Sequence, residues 1–319
     1  MPEEPIIRLG IAEHDLNLPI IDGTVTVEGY SLQITHGTDD GAIHRLLREG
    51  EIDACEYSFG SYVGERARGV PFIAIPAFPN RKFRLSYIFV NASAGIRHPK
   101  DLEGKRVGIL IWSNTAGIWA RGALQHYYHV DLTRIRWLSA GPVPKDPPPG
   151  MVIEPLGEGK LDSKLVSGEV DAVIQADVLP SIRAKDPRVR RLFPDYKTEE
   201  QAYFKKTGIF PISHMVTFPQ SFVDEHPDAP VALLRAFRRS RDEAFARIEE
   251  QQVLSISWAS ALLDEQRELM GTNYWAYNVS DNRRPLEAMM DFAFEQGVTP
   301  ERLSVASLFV PAAAALPGA

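Results

Sequence analysis

The sequence predicts an α/β protein of two lobes, and three observations support that prediction. Short apolar runs alternate with amphipathic stretches along the 319 residues, which is typical of a mainly parallel sheet covered by helices. A prior of about 150 residues per domain favours two lobes over one. Residues 50–54 (Gly-Glu-Ile-Asp-Ala) return as residues 168–172 (Gly-Glu-Val-Asp-Ala), each time after an amphipathic stretch and at the start of a strand. We therefore expect two related lobes that face each other across a cleft.

The strands are predicted from short apolar runs that end in polar or turn-forming residues. They are expected at residues 6–12, 32–35, 52–57, 72–75, 83–91, 106–110, 170–174 and 212–217.

The helices are predicted from apolar positions that recur every three or four residues. In the first of them Ile43, Leu46 and Leu47 share one face, Thr38 is placed to cap the start, and Gly50 ends the helix. Helices are expected at residues 39–48, 115–128, 161–167, 229–249, 255–269 and 285–296. The last hundred residues are thus expected to be almost entirely helical.

Composition and charge exclude several classes of function. Hydrophobic residues make up 44% and charged residues 24% of the chain, which excludes general disorder. The 35 Lys and Arg against 42 Asp and Glu give a net charge of −7. That balance argues against a nucleic-acid or anionic-membrane partner, because either would need a basic face.

The opening residues lack the basic start and apolar run of a secretory signal. No apolar stretch approaches the ~20 residues of a membrane span. The single cysteine, Cys55, excludes an intramolecular disulfide and fits a reducing compartment. We therefore expect a cytoplasmic protein.

The strongest local signal is a cationic run that contains Arg81, Lys82 and Arg84, between an apolar strand and the next. Guanidinium groups offer forked donors that match a carboxylate, and ligands of α/β proteins bind at strand ends near a crossover. The alternative is a solvated turn of cations.

A second signal is the passage from a strand into a helix at residues 110–122, where Ser113 and Thr115 add hydroxyls to the free N–H groups of the helix start. Such a start is a natural anion site. Simple N-capping by Ser113 or Asn114 explains the same residues equally well.

A third signal is a set of polar side chains at the ends of predicted strands, where proton transfer is often performed. The candidate acid and base groups are His14, Asp15, Glu56 and His214. His14 can instead be an ordinary surface histidine, and His214, inside an apolar strand, a satisfied core histidine. Gln175 and Asp177 end the strand of the second pentapeptide, as Glu56 and Ser58 end that of the first.

Several familiar motifs are absent from the sequence. A Gly-x-Gly-x-x-Gly after a strand, a phosphate loop and a Gly-x-Ser-x-Gly elbow are all missing. The histidines and the cysteine show no zinc spacing. We therefore expect no nucleotide cofactor, and a metal only through ligands distant in the chain.

Seven stretches together resemble the 4,5-dihydroxyphthalate decarboxylase family. They are residues 78–84, 87–91, 101–108, 115–122, 210–214, 282–287 and 295–297. The resemblance implies the type II periplasmic-binding-protein fold, with a ligand cleft between two lobes. On that fold we expect one lobe at residues 1–90 plus 216–319 and the other at residues 91–215.

The resemblance also implies roles for individual residues. Arg81 and Arg84 would hold a substrate carboxylate, Thr115 would help from the second lobe, and His214 would be a proton donor or base. The chain departs from the family at Leu85, where a histidine is expected, and at Trp112 and His14, where tyrosines are expected. These departures concern the substrate more than the fold.

The function that follows is a cofactor-independent carboxy-lyase acting on a hydroxylated aromatic acid such as 4,5-dihydroxyphthalate, by protonation of a ring carbon and release of CO₂. Such an enzyme would serve phthalate degradation, with a small anionic aromatic substrate as its partner and homo-oligomer formation left open. The alternative is a non-catalytic solute-binding protein for a small carboxylate. The expected substrate contacts are Ser58, Arg81, Arg84, Trp112, Ser113, Thr115, Gln175 and Asp177.

Overall fold

The contacts of the chain divide it into two units. The computed structural model describes residues 4–37, 40–250 and 255–318. Unit 1 comprises Met1–Arg81, Ile212–Leu286 and Ser304–Ala319, and unit 2 comprises Lys82–Pro211 and Glu287–Leu303. The sequence-based division, at residues 90 and 215, differs from this one mainly at residues 287–303, which pack with unit 2.

Both units contain a sheet and helices. The strands are β1 (Ile6–Ala12), β2 (Ser31–Gly37), β3 (Ala54–Ser58), β4 (Phe72–Ile75), β5 (Ile88–Asn91), β6 (Arg106–Ile109), β7 (Arg136–Ser139), β8 (Val152–Pro155), β9 (Ala172–Ile174), β10 (Val189–Arg191) and β11 (His214–Pro219). The α-helices are α1 (Leu18–Ile21), α2 (Asp40–Glu49), α3 (Phe59–Ala67), α4 (Thr115–His126), α5 (Leu161–Ser167), α6 (Pro180–Arg183), α7 (Tyr196–Thr207), α8 (Gln220–Glu225), α9 (Ala229–Glu249), α10 (Ala259–Met270), α11 (Arg283–Glu295) and α12 (Pro311–Ala314). No helix among these described residues is long and apolar enough to cross a membrane.

The two sheets are mixed, whereas the sequence predicted a mainly parallel arrangement. In unit 1 the order is β2-β1-β3-β11-β4, and β11 runs antiparallel to both of its neighbours. In unit 2 the order is β10-β5-β9-β6-β7-β8, and β5 runs antiparallel to β9 and β10. Periodicity identifies strands but carries no information on their direction, so this prediction was wrong in part.

The repeated pentapeptide, residues 50–54 and 168–172, forms the same local structure in both units. In unit 1 the Asp53 carboxylate accepts the backbone N–H of Arg8 at 2.8 Å and its guanidinium at 2.5 and 3.0 Å. In unit 2 Asp171 accepts the same groups of Arg106 at 2.8, 2.8 and 3.0 Å. Each aspartate thus fixes the register between two parallel neighbouring strands, β1 and β3 in unit 1 and β6 and β9 in unit 2.

The same two strands carry a glycine two residues after the arginine. A Cβ atom on Gly10 would lie 2.6 Å from Ile43 Cγ2, and one on Gly108 would lie 2.7 Å from Leu161 Cδ2. These contacts show that helix α2 in unit 1 and helix α5 in unit 2 pack directly against the strand backbone.

The strand predicted at residues 83–91 is only half as long as expected. Residues Leu85–Tyr87 form a 3-10 turn, and β5 begins at Ile88. The backbone N–H of Ser86 donates to Glu200 Oε1 at 2.8 Å, so this segment bonds to a side chain of α7 rather than to a neighbouring strand. The predicted cap Thr38 and the first residue of the predicted helix, residue 39, lie outside the described residues.

Candidate active site

A buried carboxylate on β3 stands at the centre of the candidate site in unit 1. The side chain of Glu56 is only 1% exposed. Its Oε2 accepts from the backbone N–H of Ala12 at 3.2 Å and from Asn17 Nδ2 at 2.8 Å. Its Oε1 lies 3.2 Å from His14 Nε2 and 2.8 Å from His214 Nδ1. Four groups therefore converge on one carboxylate.

Strand pairing explains why these distant residues meet. β1 and β3 are parallel neighbours, so His14, which follows β1, and Ser58, the last residue of β3, lie at the same edge of the sheet. β11 runs antiparallel to β3 and pairs His214 with Ser58. Since residues two apart share a face of a sheet, Glu56 and His214 become diagonal neighbours on one face.

The hydrogen bonds also determine which ring nitrogens carry protons. Asn17 Nδ2 donates its two hydrogens to Ala12 O at 2.9 Å and to Glu56 Oε2, so His14 Nε2 is left to donate to Glu56 Oε1. His214 Nδ1 donates to the same oxygen. When neutral, His14 therefore has its lone pair on Nδ1, and His214 has it on Nε2.

The charge state of Glu56 follows from these contacts. Burial raises the pKa of the carboxyl, but the charge and hydrogen bonds of His14 and of His214 outweigh burial and hold the pKa well below its usual range. Glu56 is thus an anion that holds two imidazoles in place. Asp15, in contrast, is 63% exposed, with Oδ1 3.9 Å from His14 Nδ1.

His44 on α2 is a member of this cluster that the sequence analysis missed. Its buried Nε2 lies 3.2 Å from Glu56 O and accepts the backbone N–H of Ser58 at 3.2 Å. The ring lies 6.1 Å from that of His214. Burial, with help from the charges of His214 and Arg48, lowers the pKa of His44 to about 4. Its position three residues before Leu47, on the apolar face of α2, was the available signal.

Arg81 is a buried cation of unit 1. Its Nη1 donates to Asn282 Oδ1 at 2.7 Å and to Tyr274 O at 3.4 Å. Burial lowers the pKa of Arg81 to about 9, a shift that the nearby Tyr277 hydroxyl opposes. The guanidinium therefore stays charged at neutral pH. This placement excludes the simple alternative of a solvated turn for Arg81.

Arg84 is a buried cation of unit 2. Its Nη1 donates to Ala176 O at 3.1 Å. Burial lowers its pKa to about 10, opposed by Tyr87, Asp177 and Glu200. Gln175 Oε1 accepts the N–H of Ala176 at 2.9 Å, so Gln175 and Asp177 both flank the carbonyl that Arg84 contacts. Lys82, the third cation of the run, is exposed.

At the start of α4, one side chain caps the helix and a neighbouring one packs in the core of unit 2. Asn114 Oδ1 accepts from Gly117 N at 3.3 Å and caps the helix, which supports the capping alternative. The buried Trp112 donates from Nε1 to Gln296 O at 2.6 Å, and its ring lies 3.9 Å from the Arg121 guanidinium. Trp112 is thus part of the unit 2 core, a role the sequence analysis did not foresee.

The structure therefore groups the predicted site residues in two sets. Unit 1 contains His14, Asp15, Glu56, Ser58, Arg81 and His214, and unit 2 contains Arg84, Trp112, Ser113, Thr115, Gln175 and Asp177. Ser113 is half-buried and Thr115 is buried. Within the described parts of the chain, no three His, Cys, Asp or Glu side chains are arranged to hold a metal ion.

Comparison with solved structures identifies the fold. The periplasmic aliphatic sulphonate binding protein SsuA from Escherichia coli is similar with a TM-score of 0.59 and 13% identity, over 96% of this chain and 98% of that one. The alkanesulfonate-binding protein SsuA from Xanthomonas axonopodis pv. citri gives a TM-score of 0.57 at 13% identity, over 97% and 99%. The predicted periplasmic-binding-protein type of fold is confirmed.

Comparison with sequences identifies the family. Residues 26–140 match the family described as NMT1/THI5 like. A 4,5-dihydroxyphthalate decarboxylase of Comamonas testosteroni is 30% identical over 96% of this chain and 96% of its own length. One of Pseudomonas putida is 29% identical over 61% of this chain and 82% of its own length. The chain belongs to the 4,5-dihydroxyphthalate decarboxylase family.

Proposed function

We propose that the protein is a carboxy-lyase that releases CO₂ from a hydroxylated aromatic dicarboxylate of the 4,5-dihydroxyphthalate type. The Comamonas testosteroni relative, which matches the chain over nearly its whole length, is named for that activity. The observation in the structure that carries the proposal is the buried Glu56 anion with a histidine on either side. A non-catalytic binding protein has no evident use for two oriented imidazoles at one carboxylate.

The reaction replaces a carboxylate on a ring carbon by a proton. A hydroxyl para to the carboxylate loses its proton to a base, and its electron density moves onto the ring carbon that bears the carboxylate. An acid protonates that carbon. The bond to the carboxylate then breaks, its electron pair returns to the ring, CO₂ leaves, and the base returns the proton to the ring oxygen. The net change is uptake of one proton for each CO₂ released.

The two histidines suit the two proton transfers. A neutral imidazole can take the hydroxyl proton on the ring nitrogen that does not face Glu56, and a protonated one can supply the proton to carbon. His14 and His214 share one carboxylate, so the anion of Glu56 stabilises either imidazolium at no cost in reorientation. Glu56 itself, occupied by four donors, is a positioning residue.

Arg81 suits the carboxylate that the substrate retains. The guanidinium is buried, charged at neutral pH, and belongs to the same unit as the histidine pair. A buried cation is stabilised by an anionic ligand that replaces lost hydration. The retained carboxylate of a dicarboxylate substrate provides that anion, whereas the leaving carboxylate must be able to lose its charge.

The test is a turnover assay on a panel of hydroxylated benzoates and phthalates, with CO₂ and the ring product both measured. We expect turnover of an acid that carries a hydroxyl para to one carboxylate, and the same rate after dialysis against a chelator. Saturable binding without CO₂ from any member of the panel would support the solute-binding alternative, which the fold of the sulphonate-binding proteins also accommodates.

A further inference from the structure

Tyr277 is a buried tyrosine of unit 1 that the proton-transfer scheme does not use. It lies between α10 and α11 and is 1% exposed. Its carbonyl accepts from Arg238 Nε at 3.0 Å and from Arg238 Nη2 at 2.8 Å. Its ring packs edge-on against Phe78 at 6.4 Å, and the Arg241 guanidinium lies 5.3 Å from its centroid. Tyr277 is therefore held at its carbonyl and on two sides of its ring.

The hydroxyl of Tyr277, in contrast, has no hydrogen-bond partner among the described residues. Two other buried tyrosines of the same unit do have partners. Tyr57 donates to Glu65 Oε2 at 2.8 Å and Tyr62 to Leu308 O at 2.5 Å. Burying a hydroxyl without a partner is destabilising, because the hydrogen bond to water that it loses is not replaced. A side chain fixed so firmly, with its polar end unsatisfied, is typical of a group that serves a ligand.

Charged groups around Tyr277 relate it to the candidate site. Burial raises the pKa of Tyr277 far above its usual range, and the carboxylates of Glu56 and Asp15 raise it further. The guanidiniums of Arg241 and Arg81 oppose the shift. Geometry places Tyr277 beside Arg81, because the guanidinium donates to Tyr274 O and Asn282 Oδ1 on either side of Tyr277 in the chain, and the Tyr277 ring packs on Phe78, three residues before Arg81. With its pKa raised, the Tyr277 hydroxyl stays protonated, so toward an anionic oxygen it acts as a hydrogen-bond donor.

We infer that the Tyr277 hydroxyl donates a hydrogen bond to the ring oxygen of the substrate, at the hydroxyl whose proton an imidazole removes. This inference rests on the proposed function. Negative charge builds up on that oxygen before the ring carbon is protonated, and a fixed donor that cannot ionise stabilises it. An acid without the hydroxyl leaves the donor unpaired, so Tyr277 also selects hydroxylated substrates.

The test compares the affinities for phthalate and for 4,5-dihydroxyphthalate, measured by calorimetry in a His214→Gln background that prevents turnover. The quantity of interest is the preference for the hydroxylated ligand, as a ratio of dissociation constants. We expect Tyr277→Phe to reduce that preference about tenfold while phthalate binds as before. The matched control is Tyr62→Phe, which removes another buried hydroxyl of unit 1 and should leave the preference unchanged.

Thermal unfolding of the same variants provides a second readout. Tyr277→Phe should unfold at the same or a higher temperature, because it removes an unsatisfied group. Tyr62→Phe should unfold at a lower one, because it deprives the buried Leu308 carbonyl of its donor.

Two results would overturn the inference: a preference that survives Tyr277→Phe, and equal weakening of both ligands, which would indicate a structural role. Absence of CO₂ in the turnover assay would reject the proposed function instead. The binding comparison would still report whether Tyr277 contacts the ligand hydroxyl.

Discussion

His214 Nδ1 lies 2.8 Å from Glu56 Oε1, although the two residues stand 158 positions apart in the chain. β11 enters the sheet of unit 1 after the chain has built most of unit 2, and it pairs antiparallel with β3. Because of that pairing, the His214 imidazole on β11 lies in a fixed orientation against Glu56. The proton-transfer chemistry proposed for the protein depends on this one hydrogen bond and on its counterpart from His14.

Replacing Glu56 by Gln should lower the turnover number at least ~100-fold, the lower bound for loss of general acid–base catalysis. A neutral amide cannot stabilise an imidazolium, and its NH₂ group faces ring N–H groups. The rate of CO₂ release under saturating substrate checks this. Glu65→Gln is the matched control, since Glu65 bonds to Tyr57 and Arg48 away from the histidines. Activity within twofold of the natural protein in Glu56→Gln would contradict the assignment.

Replacing His214 by Gln should also reduce turnover ~100-fold or more while the protein stays folded. Gln retains a donor for Glu56 but cannot carry a proton to or from the substrate. The rate of CO₂ release and the circular dichroism spectrum are the two measurements. Full turnover in a folded variant would return His214 to the alternative of a core histidine.

Replacing Arg84 by Ala should weaken substrate binding by at least ~1.5 kcal/mol, or about tenfold in the dissociation constant, if the guanidinium anchors a carboxylate. Lys82→Ala, two residues earlier, removes an exposed cation and should leave affinity within about twofold. Calorimetric titration with substrate distinguishes the two. Equal affinities for Arg84→Ala and Lys82→Ala would refute the anchoring role.

The lowered pKa of His44 predicts that the free energy of unfolding depends on pH. Its folded-state pKa of about 4 lies below the usual 6.5, so the unfolded chain binds more protons between these values. The contribution of His44 is therefore fully present above pH 6.5 and is lost as the pH falls to about 4. Urea unfolding from pH 8 to 4 should show this loss, and His44→Gln should show a shallower one. The pKa of Glu56 is lowered, so the contribution of Glu56 to stability is lost only below about pH 4.5. Identical slopes in the two proteins would exclude His44 as the cause.

Gly122→Ala should destabilise the protein by ~1–3 kcal/mol, although alanine is the better helix former. A Cβ atom at this position of α4 would lie 2.2 Å from Phe292 Cδ2 on α11. The free energy of unfolding in urea measures the effect. Combining the change with Phe292→Leu should recover part of the loss, and a stabilised single variant would show that the two helices separate easily.

Local periodicity was sufficient for much of the fold. The predicted bounds of β1, β4, α5 and α9 are those of the structure, and the α/β class and the family are confirmed. The short strands β7, β8 and β10 and helix α7 were missed, because their apolar positions are few. The expected domain bounds, partners, cellular location and substrate contacts stay predictions.

Two residues of the candidate site were predicted from their places at strand ends. His14 and Glu56 follow this rule, because parallel strands end at one edge of a sheet, whereas His214 was predicted from its place in an apolar strand and from the family resemblance. His44 and Tyr277 were not predicted. His44 lies on a face of α2 and Tyr277 lies in the connection between α10 and α11. Only their burial distinguishes them from other histidines and tyrosines.

By itself, the sequence determined the α/β class, the repeated strand opening and the membership of a decarboxylase family, since these depend on residue types and spacings close together in the chain. Only the tertiary structure decided that one buried carboxylate contacts two histidines, and that the Tyr277 hydroxyl is buried without a hydrogen-bond partner among the described residues. The order and direction of strands arise from packing between distant segments. No local pattern encodes which strand lies beside which.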